Sequence, residues 1–120
     1  LAAKFADRCL IVTGADPAAM RDAARAAQRL ELMGKTDVRL IVNRVSRKLF
    51  STMSVTVDDV MDTAGLPLIG VVPEDPNVTL AAAFGVPLIS YTTRGAAKAC
   101  EAIARRLEGR HVPLSIFDLF

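Results

Sequence analysis

Three short runs of mainly apolar residues set the strongest limit on how this chain can fold. They extend from Cys9 to Thr13, from Val38 to Val42 and from Pro67 to Val72, and each is rich in Val, Leu and Ile without alternating polar positions. Such runs are typical of strands covered on both faces, as in a parallel sheet flanked by helices. A shorter run, Val86 to Ser90, predicts a fourth strand, with Pro87 at its start or on a sheet edge.

The segments outside these runs predict four helices, three of them from start signals. Two begin at the Asp-Pro pairs Asp16-Pro17 and Asp75-Pro76, because Asp caps a helix N-terminus and Pro is tolerated at the first helical position. A third is predicted to begin at Thr56, because Thr56-Val-Asp-Asp59 resembles a capping box. The fourth is predicted from about Gly95 to Leu107, with Cys100 on its inward face. Glycines end the first three helices, namely Gly34, Gly65 and Gly85.

Strand and helix alternate along the 120-residue chain, with no internal linker. This alternation is typical of parallel strands joined by right-handed crossovers, with helices on both faces of the sheet. With 52% hydrophobic residues, the chain can bury a core without disulfides or a structural metal. We therefore predict one α/β domain over residues 1–120, a three-layer, doubly wound, mainly parallel sheet of about four strands and four helices.

Charge and cysteine content argue against several classes of function. The 15 basic and 13 acidic residues give a net charge of +2, which is too balanced to favour nucleic acid or an anionic membrane as the main partner. Cys9 and Cys100 are isolated, which favours neither a disulfide framework nor a zinc site. No apolar run approaches the ~20 residues that span a bilayer, and the sequence does not open with a signal-peptide pattern. We expect a cytoplasmic location and no metal ligands in this chain.

Three motifs suggest chemistry but are explained better by structural roles. Gly34-Lys35-Thr36 spells the end of a Walker A loop, yet it follows a predicted helix and precedes a strand, the reverse of a phosphate cradle. Asp58 and Asp59 begin a helix, where carboxylates favourably face the positive end of the dipole. The single histidine, His111, has no partner at ligand or catalytic spacing. We predict no catalytic residue in this chain.

The ends of the second and third strands carry the best candidates for a ligand site. Asn43 and Arg44 end one strand, and Pro73, Glu74 and Asp75 follow the next. Ligands of open α/β sheets bind in the crevice beyond the carboxyl ends of the strands. An Asn amide offers the donor and the acceptor that an adenine edge requires. An Asn at a strand end caps a turn more often than it binds a base, so both interpretations stay open for these five residues.

Several stretches have a familiar order. Phe5 to Ala23, Leu40 to Val45, Ser54 to Val60 and, most specifically, Gly65 to Asp75 resemble segments of the MinD/ParA family of deviant Walker A P-loop ATPases, and its MinD-like members above all. The resemblance covers nearly the whole chain, to about Leu114. It implies the C-terminal, adenine-side half of a P-loop NTPase with a Rossmann-like fold, used in division-site placement or in chromosome or plasmid partitioning.

The resemblance also implies roles for the candidate residues. The residue matching Asn43 recognises adenine in such proteins, the segment matching Pro73 to Asp75 lies against the base, and Arg44 borders the pocket. ATP or ADP is therefore the expected ligand of the intact protein, with Mg²⁺ held by the N-terminal half. The phosphate loop and the switch aspartates of the family have no counterpart in this chain, so we expect it to bind no cofactor and to hydrolyse no ATP alone.

Expected partners follow from the same resemblance. The helix that contains Arg21 and Asp22 corresponds to one near the family's dimer and regulator-binding surface. Without the N-terminal half, the strand from Cys9 to Thr13 is expected to expose its edge, which predicts a homodimer or a higher oligomer. Contact with DNA or with the inner membrane is expected only through the intact protein. The tail from Ser115 to Phe120 has no Lys or Arg and is expected to pack on the fold or on a neighbour.

Two other functions stay open. One is a non-catalytic interaction or dimerisation module of the same fold that binds no nucleotide. The other is a free-standing flavodoxin-like domain of unrelated role.

Overall fold

Each of the three mainly apolar runs forms a strand of one parallel sheet. The computed structural model of the protein describes residues 2–53 and 56–114. Its strands are β1 (Cys9–Thr13), β2 (Val38–Val45) and β3 (Leu68–Pro73), in the order β1-β2-β3. Both pairings are parallel. The predicted α/β class with a parallel sheet is confirmed.

Helices connect and cover the strands. In the described residues they are α1 (Ala2–Phe5), α2 (Pro17–Leu32), α3 (Arg47–Met53), α4 (Val57–Ala64), α5 (Pro76–Ala83), α6 (Leu88–Tyr91) and α7 (Ala96–Leu107). The four predicted helices correspond to α2, α4, α5 and α7. The short helices α1, α3 and α6 were not predicted, because none of them carries a strong start signal or a long apolar stripe.

The capping signals act in the structure as the sequence predicts. The Asp16 carboxylate accepts a hydrogen bond from the backbone N–H of Ala19 at 3.0 Å and so caps α2. Thr56 and Asp59 form a reciprocal capping box on α4, with bonds of 3.1 and 2.8 Å. Gly65 ends α4 in the left-handed conformation, at φ 68°. These caps determine where α2 begins and where α4 begins and ends.

The core lies in two layers, one on each face of the sheet. On one face α2 and α4 pack over all three strands, around buried side chains of which Leu40, Val42, Val45 and Val60 are fully enclosed. On the other face α7 packs over β3, where Ile103 and Ala99 meet Ile69 and Val72. Helices on both faces make the sheet doubly wound, with three layers.

The expected fourth strand is wrong. Val86 to Ser90 contains instead the start of α6, a helical turn in which the Pro87 carbonyl accepts the N–H groups of Ser90 and Tyr91. Pro87 lacks a backbone N–H and fixes its own φ at −61°, so it suits the position before a helical turn better than a ladder. Val86 and Ile89 remain 40% and 67% exposed, which shows that the run does not fill the core.

A second correction concerns α7. Cys100 is exposed rather than inward, and the helix buries Ala96, Ala97, Ala99 and Ile103. A stripe of three alanines lets the helix approach the sheet closely, which moves position 100 off the contact line.

Arg106, near the end of α7, holds the segment that follows the helix. Its guanidinium donates to the carbonyls of Ile69 in β3, Val112 and Pro113, at 2.9, 2.9 and 3.1 Å. Partial burial lowers the pKa of Arg106 from its usual value, but an arginine side chain stays charged in proteins. These bonds fix the course of the chain up to Pro113. The expected packing of residues 115–120 lies outside the described residues.

Close approach of α7 to β3 depends on Gly70. A Cβ built on Gly70 would lie 2.1 Å from Cγ1 of Ile103 and 2.5 Å from its Cδ1. No side chain fits there unless Ile103 moves.

We expect Gly70→Ala to lower the free energy of unfolding by about 1–3 kcal/mol, because the added methyl overpacks this contact. Urea unfolding measures the loss. In an Ile103→Ala background the same glycine substitution should cost clearly less, since the clashing atoms are gone. Equal costs in both backgrounds would show that the contact with Ile103 does not limit this position.

Candidate functional site

A crevice runs along the carboxyl ends of the three strands. Its larger part has a volume of about 740 Å³ and is lined by residues of three elements: Asn43, Arg44, Val72, Pro73, Glu74, Asp75, Pro76, Val78 and Thr79. Asn43, Arg44, Pro73, Glu74 and Asp75, the five residues that the sequence singled out, therefore share one cavity. They meet because β2 and β3 are adjacent and parallel, with Val45 opposite Pro73.

A local irregularity in β2 shapes this crevice. Val42 pairs with Val71 and Val45 with Pro73, so β2 has one residue more than β3 between these pairs. Arg44 takes up the extra length in the left-handed region, at φ 57°, an uncommon conformation for a non-glycine residue. Val42 and Val45 both stay fully buried. The bulge thus keeps the core filled and turns Arg44 out into the crevice.

Asn43 lies beside the bulge with its side chain half-buried. Among the described residues, no hydrogen bond occupies its side-chain amide. The amide therefore keeps one acceptor and two donor hydrogens for a ligand in the cavity. This geometry does not support the alternative interpretation, in which Asn43 caps a turn.

Arg44 and Glu74 face one another at the mouth of the crevice. The Arg44 Nη2 and Glu74 Oε1 atoms are 3.6 Å apart, and the two side chains are 78% and 59% exposed. An ion pair this exposed contributes about 0–1 kcal/mol to stability. The backbone is held more firmly, because the Glu74 N–H donates to the Val45 carbonyl at 2.9 Å.

Asp75 differs from the other four residues. Its carboxylate already accepts two backbone hydrogen bonds, from Asn77 at 2.9 Å and from Ala96 at 3.0 Å. In this arrangement it holds structure together at the edge of the cavity.

The crevice has a second part, which the sequence motifs did not indicate. A further cavity of about 480 Å³ adjoins the first across Asn43, Arg44 and Glu74, and its other lining residues are Val12, Thr13, Gly14, Ala15, Asp16 and Ser46. The segment from Thr13 to Asp16 follows β1 at its carboxyl end. The rule that pointed to the ends of β2 and β3 applies to β1 equally and would have found it.

The Walker-like triplet lies at the other end of the sheet, between α2 and β2. Gly34 has φ 79° after the end of α2. The Lys35 ammonium donates to the carbonyls of Ala6 and Lys4, at 2.8 and 3.3 Å. Lys35 therefore ties the chain after α1 to the loop before β2.

Comparisons with known proteins show which proteins the chain is similar to. No model of a known protein family matches the chain. A putative septum site-determining protein MinD from Nephroselmis olivacea is 40% identical over 110 residues, which are 90% of this chain and 40% of that protein. An uncharacterized ATP-binding protein from Methanocaldococcus jannaschii is 36% identical over 110 residues, again 40% of its length.

Solved structures lead to the same family. A MinD cell division protein from Aquifex aeolicus superposes with a TM-score of 0.89 at 32% identity, over 95% of this chain and 49% of the other. The chain is MinD-like. The MinC:MinD cell division protein complex from the same organism gives a TM-score of 0.86 at 32% identity, over 92% of the MinD-like chain and 46% of that chain.

The MinD-like chain is shorter than these proteins. It spans about two fifths of the curated relatives quoted above and about half of the solved chains. Within residues 2–53 and 56–114, no helix is both long enough and apolar enough to cross a lipid bilayer.

The left-handed backbone of Arg44 predicts how substitutions at this position change the stability of the fold. We expect Arg44→Gly to leave the free energy of unfolding nearly unchanged, because relief of backbone strain offsets the lost ion pair and the greater freedom of the unfolded glycine. Arg44→Val should be less stable than Arg44→Gly by about 1–2 kcal/mol, since a β-branched residue tolerates this conformation poorly. Urea unfolding of both variants gives the comparison. Equal stability of the two would contradict a left-handed residue 44.

Proposed function

We propose that this MinD-like chain is the adenine-binding portion of an ATPase that acts in division-site placement. The observation that carries the proposal is the single crevice into which β2 and β3 bring the free amide of Asn43 and the bend from Pro73 to Asp75. Resemblance to proteins named MinD favours division-site placement over chromosome or plasmid partitioning as the role.

The cavity suits an adenine nucleotide in size and chemistry. Its volume of about 740 Å³ lies within the usual range of ligand pockets. Asn43 supplies a donor and an acceptor to the edge of the base, and the ring of Pro73 adds an apolar group to the lining of the cavity. Arg44, at the mouth, supplies positive charge near the sugar and phosphates. One known relative is itself named as an ATP-binding protein.

The remaining chemistry of the proposed ATPase belongs to residues outside this chain. Hydrolysis requires a phosphate loop, a Mg²⁺ site and a positioned water, and the described residues contain no group of three or more His, Cys, Asp or Glu that could hold a metal. We assign the chain the C-terminal half of the intact protein and expect the phosphate-binding half upstream of Leu1. A glycine-rich loop with two lysines, encoded upstream in the same reading frame, is the feature to look for. The intact protein would act in the cytoplasm or at the inner membrane surface.

Removal of the Asn43 amide tests the base site. In the protein that contains this chain in full, we expect Asn43→Ala to weaken ATP binding by about 10- to 100-fold, the equivalent of one or two lost hydrogen bonds to the base. Isothermal titration calorimetry measures the affinity.

Gln28→Ala is the matched control, because it removes an exposed amide from α2, away from the crevice. It should bind ATP as the parent does. ATP affinity that survives Asn43→Ala unchanged would remove Asn43 from the site and favour a module that binds no nucleotide.

We further propose that the chain by itself associates through the edge of β1. Within the described part of the chain, β1 pairs only with β2, and Leu10 and Val12 are 40% and 60% exposed on the face opposite α2. β3 is the other edge strand, but from Ile69 to Pro73 it is buried. Unpaired apolar edges recruit other strands, so a homodimer or a higher oligomer is the expected state.

Size-exclusion chromatography with light scattering tests this association at micromolar concentration. We expect the chain to elute as a dimer or larger species and Val12→Lys to shift it toward monomer, since an edge lysine disfavours strand pairing. Arg25→Lys, which retains the charge at an exposed position on α2, should have no effect. A parent chain found only as monomer would overturn the proposal.

A further inference from the structure

One carboxylate caps two helices in this fold. Oδ1 of Asp75 accepts the N–H of Asn77 in the first turn of α5, at 2.9 Å, and Oδ2 accepts the N–H of Ala96, the first residue of α7, at 3.0 Å. The positive ends of both helix dipoles therefore face the same negative charge, which is favourable for each helix. The first Asp-Pro pair differs, because the hydrogen bond of Asp16 goes to Ala19 of its own helix.

α7 depends on this distant carboxylate because it has no side-chain cap of its own. Its N-cap residue is Gly95, which offers no oxygen and has φ 59° and ψ −125°, a conformation that side chains disfavour. A Cβ built on Gly95 would lie 2.4 Å from Oδ2 of Asp75. Glycine at position 95 thus provides both the backbone turn and the space in which Asp75 reaches the helix.

The Asp75 carboxylate, which caps both α5 and α7, supports the bend from Pro73 to Asp75 that lines the crevice. On one side the Glu74 N–H is bonded to the Val45 carbonyl of β2. On the other side Asp75 is bonded to α7, and α7 is packed against the far face of β3 through Ile103. The bend from Pro73 to Asp75 is therefore held from both faces of the sheet.

We propose that Asp75 is a positioning residue of the nucleotide site, which sets the place of the base-contacting bend by anchoring it to the N-terminus of α7. This inference rests on the proposed adenine site and changes the role of Asp75 within it, from contact with the base to support of the residues that make that contact. A bend that is free to shift still binds a nucleotide, but it discriminates poorly between adenine and guanine.

Two substitutions disrupt the hydrogen bond between Asp75 and Ala96 in the protein that contains this chain in full. One changes the acceptor, and the other changes the glycine before Ala96. In Asp75→Asn, one of the two backbone N–H groups loses its acceptor whichever way the amide is oriented. Gly95→Ala leaves the carboxylate intact and forces it away from Ala96. For both variants we expect the ratio of ATP to GTP affinity, measured by calorimetry with Mg²⁺ present, to fall on the order of fivefold, the equivalent of a lost helix cap.

Thr56→Ala is the matched control, because it removes a helix cap from α4 away from the crevice. It should lower the melting temperature and leave the ATP-to-GTP ratio unchanged, which separates positioning from general stability. Circular dichroism establishes that each variant is folded at the temperature of the titration. A ratio that is unchanged in Asp75→Asn would overturn the inference while the adenine site stands. A parent protein that binds no ATP would overturn the proposed function and this inference with it.

Hydrogen exchange of the parent protein provides a test that needs no variant. If one anchor serves both helices, bound ADP should slow exchange at the amides of Asn77 and Ala96 together. Slowing at Asn77 with no change at Ala96 would contradict the shared anchor.

Discussion

Burial of the inward-facing side chains of β2 is the constraint on which the rest of the structure depends. As the central strand it pairs on both sides, and Leu40, Val42 and Val45 are enclosed entirely by α2, α4 and the neighbouring strands. In a regular strand, side chains three positions apart point to opposite faces of the sheet. Without the bulge, Val45 would therefore point away from the layer that contains Val42. The extra residue solves this packing problem, and the same distortion turns Arg44 and Asn43 toward the crevice. Core packing and the candidate site are therefore two consequences of one backbone irregularity.

Much of the fold could be predicted because its signals are local. Runs rich in Val and Ile located all three strands. Asp-Pro pairs, a capping box and glycine stops located three helices to within a few residues, and an apolar stripe located the fourth. Cap and stop signals are strong because each satisfies backbone groups that a helix end leaves unpaired. The short segment after α5 was misassigned because five apolar residues around a proline suit an edge strand and a helical turn about equally well. Only the surrounding packing decides between these states.

The candidate site could be predicted in part, for a related reason. Topology places the ends of adjacent parallel strands together, so Asn43 and the bend from Pro73 to Asp75 could be brought to one crevice from sequence alone. The bulge at Arg44 could not, since no residue type there demands a left-handed backbone. Nor could the bond between Asp75 and Ala96, because a contact between residues 21 positions apart depends on how α7 lies on the sheet. Glycine at position 95 is explained only once this contact is known.

The segment that follows the crevice has an electrostatic character of its own. No charged residue lies between Asp75 and Arg94, although Phe84 and Ile89 are each 67% exposed in this stretch. Dissolved ions weaken the attraction between Arg44 and Glu74 at the mouth of the crevice, but they have no such attraction to screen along α5 and α6. Screening of charge will therefore act on the entrance to the crevice and not on the adjoining uncharged surface.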